Sequence, residues 1–229
     1  MRLVSLISAA WVALAGFAQA EEVVVVELFT SQGCSSCPPA DKILGQLAEE
    51  DNVVALAMHV DYWDYLGWKD EFASPDHTKR QRAYARAKGE RTIYTPQMVI
   101  GGTDHVVGSR AMKVSSAVRK HENRKLPVSI DLARNGNQVV ISADARGNVP
   151  DMVVQVVTYM PEATVKIRRG ENAGRTITYH NVVRDLVTLG SWNGQGEYKA
   201  TARVPSDMPV VVLVQAKGAG PIMGASRLK

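Results

Sequence analysis

The sequence predicts an α/β domain followed by an all-β, sandwich-like domain, and three observations support this. Apolar β-branched runs alternate with helical periodicity over the first half of the chain. Two apolar strands joined through a helix form the pattern of a parallel βαβ unit. Beyond residue 126 helical periodicity mostly stops, and Gly, Pro and Asn separate short strand candidates. We therefore predict domains over 21–125 and 126–229.

The elements of the first domain follow in the order β-α-β-α-β-β-α. Pro38 and Pro39 begin the first helix, because proline suits the first helical turn. Gly101 and Gly102 join two short strands as a hairpin, and Ser109 is the expected cap of the last helix. The predicted strands cover 23–29, 53–60, 97–100 and 104–107, and the predicted helices cover 38–50, 78–88 and 109–123.

The second domain reads as a succession of strands. Residues 135–137 (Asn-Gly-Asn) are a hairpin turn between two of them. The further strand candidates are MVVQVVTYM, RTITYHNVV, EYKATARV and MPVVVLVQA. Regularly punctuated short strands are typical of a small sandwich.

Composition excludes several classes of protein. The chain has 229 residues, of which 45% are hydrophobic and 22% charged, so disorder, collagen and coiled coil do not describe it as a whole. A formal net charge of +4 is too small to indicate a nucleic-acid partner. Two cysteines exclude a disulfide-dense scaffold and a four-cysteine zinc site.

The first twenty residues have the pattern of a secretory signal peptide. Arg2 is followed by an apolar run over 3–17 and then by Ala18-Gln19-Ala20. The run is shorter than the roughly 20 residues that cross a bilayer. We expect cleavage after Ala20, no membrane span in the mature chain, and a periplasmic or secreted location in a bacterial host.

The cysteines stand as Cys34-Ser35-Ser36-Cys37 between a predicted strand and a predicted helix. This spacing lets the two sulfurs meet across one turn, and the helix start stabilises a thiolate. Cys34 is then the exposed nucleophile of thiol–disulfide exchange, and Cys37 resolves the mixed disulfide. The serine hydroxyls can donate to the thiolate and so favour the reduced form. A purely structural disulfide is the alternative, although so short a loop gains little from closure.

A second motif, Thr95-Pro96, directly precedes the third strand. Together with the C-x-x-C pair at the first helix, it resembles the thioredoxin-like superfamily. The resemblance implies that Pro96 is cis, orients an extended substrate and keeps metal off the sulfurs. It also implies that Glu27, on the strand before the cysteines, tunes the inner sulfur. In the other interpretation Glu27 faces solvent or pairs with a basic group.

Longer motifs carry a closer resemblance over nearly the whole mature chain. They are ELFTSQGCSSCPPAD, HVDYWDYLGW, YTPQMVIGG and RGENAGRTITYHNVVRDLVTLGSW. They resemble a bacterial family of exported thioredoxin-like proteins that is catalogued chiefly as a domain of unknown function. The resemblance implies fold and export and supplies no substrate.

Further candidates follow the second strand. In a parallel pair this end lies at the same sheet edge as Cys34. His59 and Asp61 could tune the thiol there, although a lone buried histidine is more often structural. The aromatic side chains either contact substrate or pack against the second domain; they are Tyr62, Trp63 and Trp68.

These features favour an exported thiol–disulfide oxidoreductase acting on protein or small-thiol substrates, with a redox donor or acceptor as partner. No organic cofactor is implied, because the disulfide carries the two electrons. One alternative is Cu(I) binding and delivery by Cys34, Cys37 and His59, whose ligand types suit that ion. Another is a non-catalytic binding module that uses the fold as a scaffold.

Overall fold

The computed structural model describes residues 23–228, and its first half alternates strands and helices. The strands are β1 (Val24–Thr30), β2 (Val53–His59), β3 (Gln97–Ile100) and β4 (Asp104–Val107). The helices are α1 (Pro38–Ala48), α2 (Pro75–Ala87) and α3 (Ala111–Glu122), with a short 3-10 turn at Asp64–Leu66. The predicted order of elements in this half is confirmed.

The second half of the described chain consists of strands. They are β5 (Val128–Asn135), β6 (Gln138–Ala145), β7 (Met152–Lys166), β8 (Thr176–Trp192), β9 (Tyr198–Arg203), β10 (Val210–Ala216) and β11 (Ile222–Leu228). The predicted hairpin between β5 and β6 is present, since Asn135 pairs with Gln138.

Helix starts explain two differences from the predicted bounds. Helix α2 begins three residues earlier than predicted, because the Ser74 side chain accepts from the Asp76 N–H and Pro75 opens the first turn. Helix α3 is not capped by Ser109, which is a correction: Arg110 holds the cap position without a side-chain cap bond.

The sheet continues across the predicted boundary at residues 125–126. Its eight strands lie in the order β11-β10-β7-β8-β2-β1-β3-β4, and a separate three-stranded sheet has the order β5-β6-β9. Strand β8 runs parallel to β2 at Ala57 and Val182, and Asn181 Nδ2 donates to the Ala55 carbonyl. The strands of the second half thus lie in two layers, and the larger layer is continuous with the sheet of the first half, because β8 pairs with an edge of β2 that would otherwise be open.

Three apolar cores hold this mixed α/β arrangement together. One lies between the large sheet and helices α1 and α3, and includes Leu28 and Leu44. A second lies on the opposite face of the sheet, where Tyr84 of α2 packs near Phe29. The third lies between the small sheet and strands β7 and β10. Helix α1 thus covers one face of β1 and α2 the other.

No helix within residues 23–228 is long and apolar enough to cross a membrane. The predicted signal peptide over 1–20 lies outside the described residues, so cleavage and export stay predictions.

Candidate functional site

The two cysteines form a disulfide where β1 gives way to α1. Cys37 is the N-cap residue of α1, and its carbonyl accepts from the N–H groups of Ala40 and Asp41. Cys34 is 2% exposed and Cys37 is 0% exposed. Cys34 is the more exposed of the two cysteines, as predicted. The prediction of an exposed nucleophile is not met, however, because neighbouring groups cover the loop and bury Cys34.

Close packing against the aromatic loop, residues 60–69 after β2, covers one side of the cysteine loop, residues 31–37 between β1 and α1. A Cβ at Gly33 would lie 3.2 Å from the Trp63 Cβ, so the absence of a side chain at Gly33 admits this approach. The Ser36 Oγ lies 3.4 Å from the Cys34 Sγ. A serine hydroxyl therefore stands where it can donate to a thiolate on Cys34.

The Thr95–Pro96 segment lies beside this loop, and its peptide bond is cis, as expected. Trp63 Nε1 donates to Thr95 Oγ1 over 2.7 Å, which connects the segment to the residue packed on Gly33. The Pro96 carbonyl accepts from the N–H of Gly108. Trp63, which packs on Gly33, and Thr95, which is bonded to Trp63, thus form a second wall of the cysteine loop.

The other candidates of the aromatic loop divide into two groups. Trp68 Nε1 donates to Gln32 Oε1 over 2.7 Å, so this indole holds the side chain of Gln32, two residues before Cys34. Tyr62 and Asp61 are instead tied to α2, through Gln81 and Thr78 respectively. Burial raises the pKa of Tyr62 to about 12, so its hydroxyl stays protonated at neutral pH.

His59 is fully buried behind the cysteine loop. Its Nδ1 lies 2.7 Å from Asp70 Oδ2, and its ring packs edge-on against Phe72 and Tyr179. Burial alone would raise the pKa of Asp70, but the charge and hydrogen bond of His59 and the N–H of Gln32 hold that pKa below its ordinary value. His59 is therefore a packed core residue that faces a carboxylate.

Asp41 is a functional candidate that the sequence analysis missed. It lies on the first turn of α1, and the Thr30 hydroxyl donates to its Oδ1 over 2.8 Å. Burial raises the pKa of Asp41 to about 7, against the lowering effects of His59 and Thr30. A carboxyl with this pKa can both accept and release a proton near neutral pH.

Asp41 Oδ2 is one of several buried side-chain atoms without a hydrogen-bond partner. Within residues 23–228, the buried side-chain atoms that make no hydrogen bond are Gln32 Nε2, Asp41 Oδ2, His59 Nε2, Asn172 Oδ1 and Tyr179 OH. All five belong to residues linked by the contacts of the cysteine loop, β2 and β8. Buried polar groups are normally paired, and each exception in a native structure calls for an explanation. These residues are therefore candidates for a functional role behind the cysteine loop.

Glu27 requires a correction, because it does not lie with the cysteines. It alternates with Val26 and Leu28, which face α1, and so points to the opposite face of the sheet. There its carboxylate accepts from Arg80 Nε over 2.5 Å and from the Tyr84 hydroxyl. The alternative interpretation, pairing with a basic group, is the one confirmed.

The residues of the copper alternative are not assembled into a ligand set. Cys34 and Cys37 are joined to each other, and His59 Nδ1 faces Asp70. In the part of the chain from 23 to 228, no group of three or more His, Cys, Asp or Glu side chains is placed to hold a metal ion. Cu(I) binding therefore stays a prediction without support from the geometry.

The hairpin of β7 and β8 brings two further residues to the site. At its tip, Asn172 Nδ2 donates to the carbonyls of Gln32 and Cys34, each over 2.9 Å. Glu171 Oε2 accepts from the Ser35 N–H over 3.2 Å. Both residues lie in the motif RGENAGRTITYHNVVRDLVTLGSW, but the motif does not show which part of the chain they contact, because the pairing joins the second half of the chain to the cysteine loop.

One signal could have identified Asp41. Asp41 lies on the same buried face of α1 as Leu44 and Leu47, and carboxylates are rarely found on such a face. An acidic residue in the first helical turn is usually read as a favourable partner of the helix dipole. The place of Asp41 among the apolar residues of α1 indicates instead that this carboxyl is buried.

Comparison with known proteins places the chain among relatives of the same architecture. Protein AGR_C_4864 from Agrobacterium tumefaciens is 37% identical, with a TM-score of 0.76 over 91% of this chain and 95% of that one. HBP35 of Porphyromonas gingivalis is similar in fold alone, at 13% identity and a TM-score of 0.64 over 91% of this chain and 75% of that one. A search of curated proteins gives no match. A family model described as protein of unknown function (DUF1223) matches residues 25–215, and the chain belongs to this family.

Proposed function

We propose that this chain is an exported thiol–disulfide oxidoreductase with a thioredoxin-like arrangement around its redox pair. The observation that carries the proposal is the Cys34–Cys37 disulfide at the start of α1, backed by the buried carboxyl of Asp41. A pair closed over four residues stabilises a fold little, whereas it suits reversible exchange. The predicted signal peptide places the activity in the periplasm or outside the cell.

The proposed reaction passes two electrons between the pair and a substrate. In the reducing direction, the Cys34 thiolate attacks one sulfur of a substrate disulfide, and the other substrate sulfur leaves as a thiolate. Cys37 loses its proton to Asp41 and attacks Cys34, which releases the second substrate sulfur. The chain is then a disulfide and the substrate a dithiol. The oxidising direction is the reverse of these steps.

The walls of the site suggest how a substrate is held. Pro96 is proposed to orient an extended segment, as the thioredoxin-like resemblance implies. Trp63 and the exposed Tyr65 stack on each other and offer aromatic surface. These features suit a peptide carrying a cysteine, or a small thiol, as the substrate class.

A redox titration tests the proposal. The chain is equilibrated in glutathione buffers of graded potential, and free thiols are trapped by alkylation. We expect a reversible transition between roughly −120 and −270 mV, the range of known oxidoreductases. Cys34→Ser, which cannot form the pair, is the control. A disulfide that remains closed below about −300 mV would refute exchange and support the scaffold alternative.

A further inference from the structure

The tip of the β7–β8 hairpin forms part of the wall around the redox pair. Asn172 is buried, and its side-chain amide donates hydrogen bonds to the carbonyls of Gln32 and Cys34. Its neighbour Glu171 accepts a hydrogen bond from the Ser35 N–H. Two consecutive residues of the tip therefore contact the backbone on both sides of the Cys34 side chain.

The tip is held in this position by its own hydrogen bonds and packing. The N–H of Ile167 donates to the Arg175 carbonyl, and the N–H of Gly174 donates to the Ile167 carbonyl. Gly170 has a φ of +77°, and a Cβ there would lie 3.3 Å from the Trp68 Cβ. Trp68 in turn donates to Gln32. The carboxylate of Glu171 is thus presented to Ser35 by a fixed turn.

The position of this carboxylate matters for the chemistry of Cys34. The Ser35 N–H is the amide directly after Cys34, in the turn that leads into α1, and amides of this kind stabilise a cysteine thiolate. Glu171 accepts the hydrogen bond of that amide and so places a negative charge at the residue next to Cys34. Both effects disfavour a thiolate on Cys34. Hydrogen bonds from Ser35 hold the pKa of Glu171 below its ordinary value, so the carboxylate is ionised at neutral pH.

We propose that Glu171, held in place by Asn172, is a positioning residue that reduces the thiolate population of Cys34 and makes the redox pair more reducing. The inference rests on the proposed function. When two glutathione thiols reduce the disulfide, they form glutathione disulfide and the protein dithiol. A thiolate disfavoured by Glu171 makes that dithiol less stable, and the equilibrium moves toward the protein disulfide.

Other ionisable groups lie around the same loop and also act on the thiol pKa of Cys34. Asp70 accepts from the Gln32 N–H, and it pairs with His59 behind the loop. Asp41 lies on α1 beyond Cys37. These three groups are buried and remain unchanged when Glu171 is replaced, so a Glu171 variant isolates the contribution of the hairpin tip.

The first measurement is the thiol pKa of Cys34, followed through the ultraviolet absorbance of its thiolate. A Cys37→Ser background leaves Cys34 as the one thiol of the chain. We expect Glu171→Gln to lower this pKa relative to the background protein. Glu162→Gln is the matched control, because Glu162 is an exposed acid on the same hairpin, with its Oε2 at 3.9 Å from His180 Nδ1.

The second measurement is the glutathione equilibrium of the chain with both cysteines. We expect Glu171→Gln to shift it toward the dithiol by about twofold to fivefold, the range of exposed charge pairs. Asn172→Ala should shift it in the same direction, because it releases the tip. A purely structural tip would change melting temperature and leave the thiol pKa unchanged.

The outcomes separate this inference from the proposed function. If Glu171→Gln and Glu162→Gln have the same thiol pKa, the inference is overturned, whatever the redox activity. If Glu171→Gln lowers the pKa while the unmodified chain gives no reversible equilibrium with glutathione, Glu171 does tune Cys34. The proposal of thiol–disulfide exchange is then the part that fails.

Discussion

The N–H of Asp41 donates to the Cys37 carbonyl over 3.1 Å, so a buried carboxyl lies on the first turn of the helix that the inner cysteine caps. The Thr30 hydroxyl pairs with one of its oxygens, and the other makes no hydrogen bond. A half-satisfied buried carboxyl is expensive to ionise. Asp41 therefore couples the protonation state of the site to the stability of the fold.

The first prediction concerns the dependence of stability on pH. The pKa of Asp41 rises from 3.8 in the unfolded chain to about 7 in the fold. The native state thus binds more protons between these values, and the free energy of unfolding falls as pH rises from 4 to 7. The loss is on the order of 4 kcal/mol at 1.36 kcal/mol for each unit of pKa.

Asp41→Asn removes this titration while keeping the shape of the side chain. We expect the variant to be more stable than the unmodified chain at pH 8, and to lose that advantage below about pH 3, where Asp41 is protonated in both the folded and the unfolded state. Urea unfolding over this pH range measures the difference. An offset that stays constant with pH would contradict the prediction.

The second prediction concerns the rate of exchange. If Asp41 accepts the proton of Cys37, resolution of the mixed disulfide should accelerate as pH rises through about 7, the pKa of Asp41. We expect Asp41→Asn to slow this step by about a hundredfold and to remove that inflection. Stopped-flow alkylation trapping measures the step. Asp151→Asn, an exposed acid paired with Lys217, is the matched control and should keep the profile of the unmodified chain.

The sequence predicted the parts of the site that depend on residues close together in the chain. It did not predict the parts that depend on contacts between distant segments. The apolar runs of β1 and β2, the prolines of α1 and the Cys34–Cys37 spacing each act within a few residues, so they can be read from the sequence. The role of Glu27 stayed open between two interpretations, because period-two alternation does not tell which face of a buried strand meets α1 when both faces are apolar.

The continuation of the sheet could not be read from the sequence. Strand β8 pairs with β2 at Val182, and at the preceding Asn181, where φ is 49°, the side chain donates to the Ala55 carbonyl. Such a contact joins residues from opposite halves of the chain. Asn172 likewise contacts the cysteine loop from the other half of the chain. It lies at the end of the β7–β8 hairpin, and the length of that hairpin cannot be predicted from the sequence.

The third prediction tests the correction to Glu27. Its carboxylate and Arg80 form a buried ion pair with Tyr84 on the face away from the cysteines. Glu27→Gln leaves the charge of Arg80 buried without its partner, and we expect a loss of about 3 kcal/mol in the free energy of unfolding. Urea unfolding measures that loss.

The double variant Glu27→Leu with Arg80→Met is the control for this pair. It removes both charges and should recover most of the stability, because apolar replacements of a buried ion pair are often neutral. In the reduced Glu27→Gln protein, the thiol pKa of Cys34 should equal that of the unmodified chain. A shifted thiol pKa would restore the tuning role.

The fourth prediction concerns the bond between Trp63 and Thr95, which joins the aromatic loop to the segment before Pro96. Trp63→Phe and Thr95→Val each remove one partner of a hydrogen bond of 2.7 Å. We expect each to cost about 1 kcal/mol, and a double-mutant cycle to give a coupling energy of similar size. Additive effects would show that the two walls of the site are independent.

The fifth prediction tests the packing of α1 on β8, which joins the two halves of the chain. A Cβ at Gly45 would lie 2.6 Å from the His180 ring, so Gly45→Ala forces the ring to move. We expect a net destabilisation of about 1 kcal/mol, since overpacking costs 1–3 kcal/mol and alanine favours the helix by up to 1 kcal/mol. In a His180→Ala background the same substitution should instead stabilise by about 0.5–1 kcal/mol. Thermal unfolding of the four proteins measures this reversal of sign. A destabilisation that persists without the His180 ring would mean that α1 and β8 do not pack as described.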